Sequence, residues 1–305
     1  VDSHAIAMLG KARRNQLLSV GCLAGLLAGT TPAMAFTSFD VDFNADNKKT
    51  SSEATGVSAK MTFSFSKLDP ANDADNRYTL DLNIKNTSPV GLNPTGTLTA
   101  FAFNVPGPSS SPAFKLLTYN PLNSNFGDVY GASLNGSERN VSNNNILTFP
   151  ITGTPRRAAY APFGSFTFCA RDTGTSCHGG SSNGTGLTDG QSTDVRFTLA
   201  SNSPTINSAS LVAQSFFDLF NSRTFTNDGD FKNAQVALRF QNVTNSKGRS
   251  GKSDKVAGIP IKPPQGPVDE VPGPLPVFGA ATAFAFSRRL RRRVATAELQ
   301  TQPVA

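Results

Sequence analysis

Short segments in which apolar and polar residues alternate recur along most of this chain, and they constrain its fold more than any other feature. In RYTLDLNIKN (77–86), every second residue from Tyr78 to Ile84 is apolar, which is the period of a strand with one buried face. Stretches rich in Gly, Asn and Ser separate these segments. The chain has 23 Phe and no Trp, so Phe must supply most of the aromatic core. The pattern predicts an all-β fold, with a single β-sandwich or jelly-roll-like domain over residues 36–244.

One segment departs from the strand pattern. Residues 208–222 place Leu211, Phe216, Leu219 and Phe220 at helical spacing. We expect a short helix here that covers one end of a sheet.

The positive charge of the chain is concentrated at its two ends. The formal net charge is +7, yet residues 36–272 hold 20 basic and 19 acidic side chains. A surface that binds nucleic acid needs a clustered basic face on the folded domain. Because the body is nearly neutral, we expect no nucleic-acid partner.

Residues 1–35 contain the pattern of a secretory signal peptide. Its parts are a basic start (Lys11, Arg13, Arg14), an apolar stretch (Leu17 to Ala28) and a small-residue A-x-A end (Ala33, Ala35). We expect cleavage before Phe36. Translation is expected to start at Met8, which leaves residues 1–7 as an upstream extension.

The C-terminal end carries a second segregated pattern. Its parts are a proline motif (Val271, Pro272, Gly273, Pro274), an apolar stretch (Leu275 to Phe286) and an arginine cluster (Arg288, Arg289, Arg291, Arg292, Arg293). Arginine crosses hydrocarbon at high cost, so we expect the cluster to stay on the cytoplasmic side of a membrane. As a helix, the apolar stretch covers about 18 Å of a ~30 Å hydrocarbon core. That length suits a transient stop better than a lasting anchor.

This order of proline motif, apolar stretch and arginine cluster resembles the PEP-CTERM sorting signal, in its cyanobacterial V-P-x-P-L-P variant. The resemblance covers residues 271–293. It implies that an exosortase, a membrane cysteine transpeptidase, cuts near residues 271–274 and passes the protein to the cell surface or exopolysaccharide matrix. Gly273 stands where the family has Glu, and a tail at 294–305 follows the arginines. The implied partners are the exosortase, the secretion machinery and exopolysaccharide, with a transient inner-membrane association.

Between the body and this motif, residues 245–270 are rich in Pro, Gly and Lys and poor in large apolar residues. We predict a linker that holds the folded body away from the membrane. One folded domain precedes it in the preferred arrangement. The Asn/Gly-rich stretch at 120–145 is the expected boundary if there are two.

Two cysteines, Cys169 and Cys177, remain once the signal peptide is removed. Thiols in an oxidising compartment are expected to pair, so we predict a small disulfide loop. The alternative makes Cys177 a nucleophile and His178 its base. It is disfavoured because sequence neighbours on an extended chain point to opposite faces.

A calcium site is the one metal hypothesis that the spacing supports. Asp42, Asn44, Asp46 and Glu53 fall at positions one, three, five and twelve of an EF-hand-type loop. Asn47 replaces the usual Gly at position six, and no convincing helix flanks the loop. A polar turn after a strand is the preferred interpretation.

Little in the sequence indicates catalysis. His178 is the single histidine of the body, no G-x-S-x-G elbow precedes a predicted helix, and zinc ligands at usable spacing are missing. A two-carboxylate glycosidase remains compatible with the composition. We expect a non-enzymatic, exported surface or matrix protein without a cofactor. The alternatives are a carbohydrate-binding or calcium-assisted adhesion module and, third, a secreted hydrolase.

Overall fold

The computed structural model describes residues 37–72, 75–107, 112–123, 125–131, 139–140, 146–149, 158–172, 177, 186–245 and 247–264. These residues form strands and one helix, so the all-β prediction is confirmed. The helices expected in the signal peptide and in the C-terminal sorting segment lie outside them. No helix among the described residues is long and apolar enough to cross a membrane.

Fourteen strands and one helix follow one another along the described chain. In chain order they are β1 (Thr37–Asn44), β2 (Ser58–Lys67), β3 (Arg77–Asn86), β4 (Thr95–Phe103), β5 (Phe114–Pro121), β6 (Asp128–Gly131), β7 (Arg139–Asn140), β8 (Leu147–Thr148), β9 (Ala158–Ala159), β10 (Ser165–Phe166), β11 (Phe168–Arg171), β12 (Ser192–Ser201), α1 (Ala209–Asn221), β13 (Val236–Thr244) and β14 (Lys252–Pro260). Twelve strands form one antiparallel sheet in the order β7, β6, β11, β4, β13, β14, β1, β2, β3, β12, β5, β8. The remaining two, β9 and β10, pair with each other.

The twelve-stranded sheet folds over so that its two halves face each other. The front half runs from β1 to β8 in the sheet order, and the back half runs from β7 to β14. Phe103 of β4 lies 6.1 Å from Phe63 of β2 and 5.4 Å from Phe197 of β12, measured between ring centroids. Tyr119 of β5 lies 5.1 Å from Phe168 of β11. The sequence predicts two separate sheets, whereas the facing layers here are one sheet, continuous where β14 pairs with β1.

Helix α1 contacts both halves, as its predicted place at the end of a sheet requires. The Ser208 hydroxyl accepts a hydrogen bond from the Leu211 backbone N–H at 3.3 Å and caps the first turn. Phe216 packs 5.2 Å from Phe65 of the front half and 6.4 Å from Phe103 of the back half. Leu211 is largely exposed, although its spacing predicted a buried position.

The back half of the sheet is buried on both faces. In β4, Phe101 and Phe103 point into the main core, and Ala100 and Ala102 belong to a second apolar cluster on the other face. Residues 158–166, which we call the cover hairpin, pack over these small side chains with Tyr160, Phe163 and Phe166. This arrangement explains why β4 is buried along nearly its whole length.

Strand β14 corrects the predicted linker. Lys252–Pro260 lies inside the sheet between β13 and β1, within the segment 245–270 that its composition marks as a spacer. Its small residues are needed because β1 approaches closely: a Cβ on Gly258 would lie 2.5 Å from Val41 Cγ1 and 2.7 Å from Phe43 Cε1. The linker prediction is therefore wrong for β14, and residues 265–270 lie outside the described chain.

Candidate functional site

The residues predicted to act in export and sorting cannot be placed in the fold. All of them lie outside the described residues: Ala33, Ala35, Phe36, Val271, Pro272, Gly273, Pro274, Arg288, Arg289, Arg291, Arg292 and Arg293. His178, the alternative base, also lies outside the described residues. Their roles stay predictions from sequence.

The predicted cysteine pair is joined. Cys169 of β11 forms a disulfide with Cys177, with 6.4 Å between their Cα atoms. Cys169 faces the second apolar cluster, beside Ala102 of β4. The bond therefore ties the chain after β11 to the face under the cover hairpin.

The four predicted calcium ligands are not gathered into a site. Asp42 lies within β1, in register with Lys60 of β2, and partial burial raises the pKa of its carboxyl against the lowering effect of Lys60. Asn44 Oδ1 accepts a hydrogen bond from the backbone N–H of Asp46 at 2.8 Å. Glu53 lies 3.9 Å from Lys48 Nζ. Among the described residues, no three His, Cys, Asp or Glu side chains are grouped as metal ligands.

The segment around Glu53 instead encloses a buried carboxylate. Asp254 of β14 is fully buried and accepts hydrogen bonds from the hydroxyls of Ser51, Ser52 and Thr55. The backbone N–H groups of Glu53 and Thr55 donate to it at 3.0 and 3.1 Å. Five donors therefore stabilise one carboxylate, in the way that buried charges require. Sequence reasoning missed this cage because Ser51 and Asp254 are 203 residues apart.

A row of basic side chains crosses the back half on its covered face. In the strand register, Arg171 of β11 lies opposite Ala100, Ala100 lies opposite Arg239 of β13, and Arg239 lies opposite Lys255 of β14. Directly opposed residues in neighbouring strands point to the same face. We call Arg171, Arg239 and Lys255 the cationic row. Arg171 and Arg239 are 1% and 6% exposed, so their guanidinium groups lie away from bulk water.

Tyr160 of the cover hairpin lies over this row. Its side chain is fully buried, and among the described residues its hydroxyl has no hydrogen-bond partner. Lys255 Nζ lies 5.9 Å from the centre of the Tyr160 ring and donates a hydrogen bond to the Ala161 carbonyl. The hairpin therefore brings a hydroxyl to a face that already carries three cations.

Burial is the largest influence on the pKa values of Tyr160, Arg239 and Lys255. Burial, with repulsion from Arg239, lowers the pKa of Lys255 to about 8. Burial also lowers the pKa of Arg239, and Arg171 adds to that lowering. The pKa of Tyr160 is raised by burial, while the two arginines oppose the rise. These mutual effects place the four groups within electrostatic reach of one another.

Two ion pairs lie on the outer face of the front half. Asp40 lies 2.6 Å from Lys60, and Asp81 lies 2.5 Å from Arg196. Asn83 donates to a further carboxylate, that of Asp194, at 2.7 Å. Exposed pairs of this kind add little to stability, and they leave this face close to neutral.

No protein-family model, curated protein or solved structure matches this chain. We therefore infer its function from its own residues. Two features of the described residues bear on that function: the Cys169–Cys177 disulfide and the cationic row beneath Tyr160.

Proposed function

We propose that this protein is a non-enzymatic, exported component of the cell surface or extracellular matrix. A signal peptide directs its export, and the C-terminal segment holds it transiently at the inner membrane. An exosortase then cuts near residues 271–274 and releases the body to the surface or to an exopolysaccharide matrix.

The observation that carries this proposal is the pair of terminal tracts on either side of a nearly neutral body. Most of the excess positive charge lies in residues 11–14 and 288–293. Each cluster adjoins a short apolar stretch, and the C-terminal one follows a proline motif similar to that of PEP-CTERM proteins. Disposable sorting signals at both ends account for this arrangement, because charge segregated along the chain does not form one face of a helix.

Two features of the folded body support the proposal. The disulfide between Cys169 and Cys177 suits an oxidising compartment outside the cytosol. We also propose that the folded-over sheet is a variant of the β-sandwich or jelly-roll class, supported by the facing aromatic rings of its two halves. Such scaffolds are common in exported proteins, although fold alone does not determine function.

Mass spectrometry of the processed protein tests the proposal. The full chain is expressed in two otherwise identical bacterial strains, one with and one without an exosortase that acts on V-P-x-P-L-P motifs. We expect an N-terminus at Phe36 in both strains. A C-terminus close to Pro272 is expected in the exosortase strain alone.

A matched pair of proline variants separates motif recognition from general proteolysis. The double variant P272A/P274A should keep its tail in the exosortase strain. Pro263→Ala, which lies outside the motif, should be cut normally. An intact chain in the cytosol that retains Lys11 and Arg293, or equal cutting in both strains, would contradict the proposal.

A further inference from the structure

The cationic row concentrates positive charge on a covered surface. Neighbouring strands lie about 4.8 Å apart, so Arg239 and Lys255 are adjacent and Arg171 is two strands from Arg239. Asp128 of β6, in register with Arg171, adds one carboxylate at the far end of the row. At these register positions the face therefore carries three cations and one carboxylate. Like charges held away from water favour a neutralising anion between them.

The residue between the two arginines is small. Ala100 separates Arg171 from Arg239 in the register, and its methyl group rises little above the sheet. Long side chains on both sides can therefore direct their N–H groups towards each other over Ala100, beneath the cover hairpin. A guanidinium carries five N–H donors, so it can bind several partners at once.

Tyr160 supplies the observation that indicates a ligand. A buried hydroxyl normally has a hydrogen-bond partner, and that of Tyr160 has none among the described residues. It interacts electrostatically with both Arg171 and Arg239, and its ring packs in the apolar cluster that contains Ala100. Lys255 adds an ammonium with three donors, one of which is directed to the Ala161 carbonyl. The donors of the row and the Tyr160 hydroxyl therefore lie on the same covered face of the sheet.

We propose that the cationic row and the Tyr160 hydroxyl bind a small oxyanion: a carboxylate, phosphate or sulfate group. Its oxygens accept charge-assisted hydrogen bonds from the row and a further bond from Tyr160 Oη. Lys255 is partly exposed and Ala161 is exposed, so the anion enters at the β14 end of the row. This inference is independent of the proposed export route.

Calorimetric titration of the full chain at pH 7 tests the proposal. Sodium sulfate, phosphate and glucuronate are titrated separately, in chloride buffer at constant ionic strength. We expect at least one of them to bind with a stoichiometry of one and to raise the Tm by a few degrees. The three arms show whether the site takes an inorganic anion or the acid group of a sugar.

Tyrosine emission locates the binding event. The protein has four Tyr and no Trp, so tyrosine fluorescence is not masked by tryptophan. We expect the anion to change this emission in the wild type and not in Tyr160→Phe, which removes only the hydroxyl. Tyr160→Phe should lower the affinity about tenfold or more, as expected for a bond to a charged group.

Two lysine variants complete the test. Lys255→Met keeps most of the apolar stem and removes the charge, so it should also weaken binding at least tenfold. Lys85→Gln, on the exposed face of β3, should bind like the wild type. The proposal is overturned if none of the anions binds more strongly than chloride, or if Tyr160→Phe and Lys255→Met both bind like the wild type.

Discussion

Asp254 connects two parts of the chain through a single buried carboxylate. Five donors between Ser51 and Thr55 are directed to it, and all of them require an acceptor. Asp254→Asn replaces one acceptor oxygen with an N–H₂ group that would face other donors. We expect it to lower the free energy of unfolding by about 2 to 4 kcal/mol, measured by urea denaturation. The control Asp228→Asn changes an exposed carboxylate and should leave stability within about 0.5 kcal/mol of the wild type.

Lys255 predicts a pH dependence of stability. Its pKa is about 8 in the folded protein against an ordinary value of 10.5, so the unfolded chain binds more protons between these values. Stability should therefore rise with pH across this window. Relative to Lys255→Met, the wild type should gain about 1 to 3 kcal/mol between pH 7.5 and 10.5. Thermal unfolding of both proteins in chloride buffer measures this, and parallel stability curves would contradict it.

At the scale of elements, β14 is the last described strand and completes the sheet. It is hydrogen-bonded on both sides, to β13 and to β1, so its loss would open the sheet between the two halves. A chain that ends at Pro264 should fold with the stability of the full chain. A chain that ends at Gly251 should lose cooperative unfolding, as followed by circular dichroism. Equal stability of the two truncated chains would show that β14 is dispensable after all.

The boundaries of strands in which apolar and polar residues alternate strictly could be predicted from the sequence. Strands whose composition is set by contacts with distant residues could not be predicted. The boundaries of β3 match the predicted segment 77–86 because its buried face is apolar from Tyr78 to Ile84. The composition of β14 is polar and small because Asp254 is caged and Gly258 lies against β1. Both contacts involve residues about 200 positions away in the chain. A pattern within the segment itself cannot indicate such contacts.

The same distinction applies to the candidate sites. The disulfide could be predicted because the body offers two cysteines and one pairing. The cationic row could not, since the register of four strands and the position of Tyr160 create it. The spacing of Asp42 and Glu53 matched a calcium-binding motif. In the structure, however, β1 continues through Asp42, and the Glu53 carboxylate lies near Lys48.

For the whole molecule, the disulfide should link stability to the compartment in which the protein folds. The Cys169–Cys177 bond closes a loop with a sequence separation of 8. A loop of this size is expected to contribute about 2 to 3 kcal/mol. The oxidised protein should therefore unfold at higher urea concentration than the same protein in dithiothreitol. The variant C169A/C177A serves as the control, and its midpoint should not respond to the reductant.

The pairing of β1 with β14 joins the first described strand to the last, with Val41 opposite Pro260. Contacts between such distant positions give the fold a high contact order, and chains of this kind fold slowly. The hydrogen-bonded ladder between the two halves cannot form before residue 260 has been synthesised. A shorter nascent chain therefore exposes the unpaired edges of β1 and β13, and the sheet becomes continuous only when nearly the whole body is available.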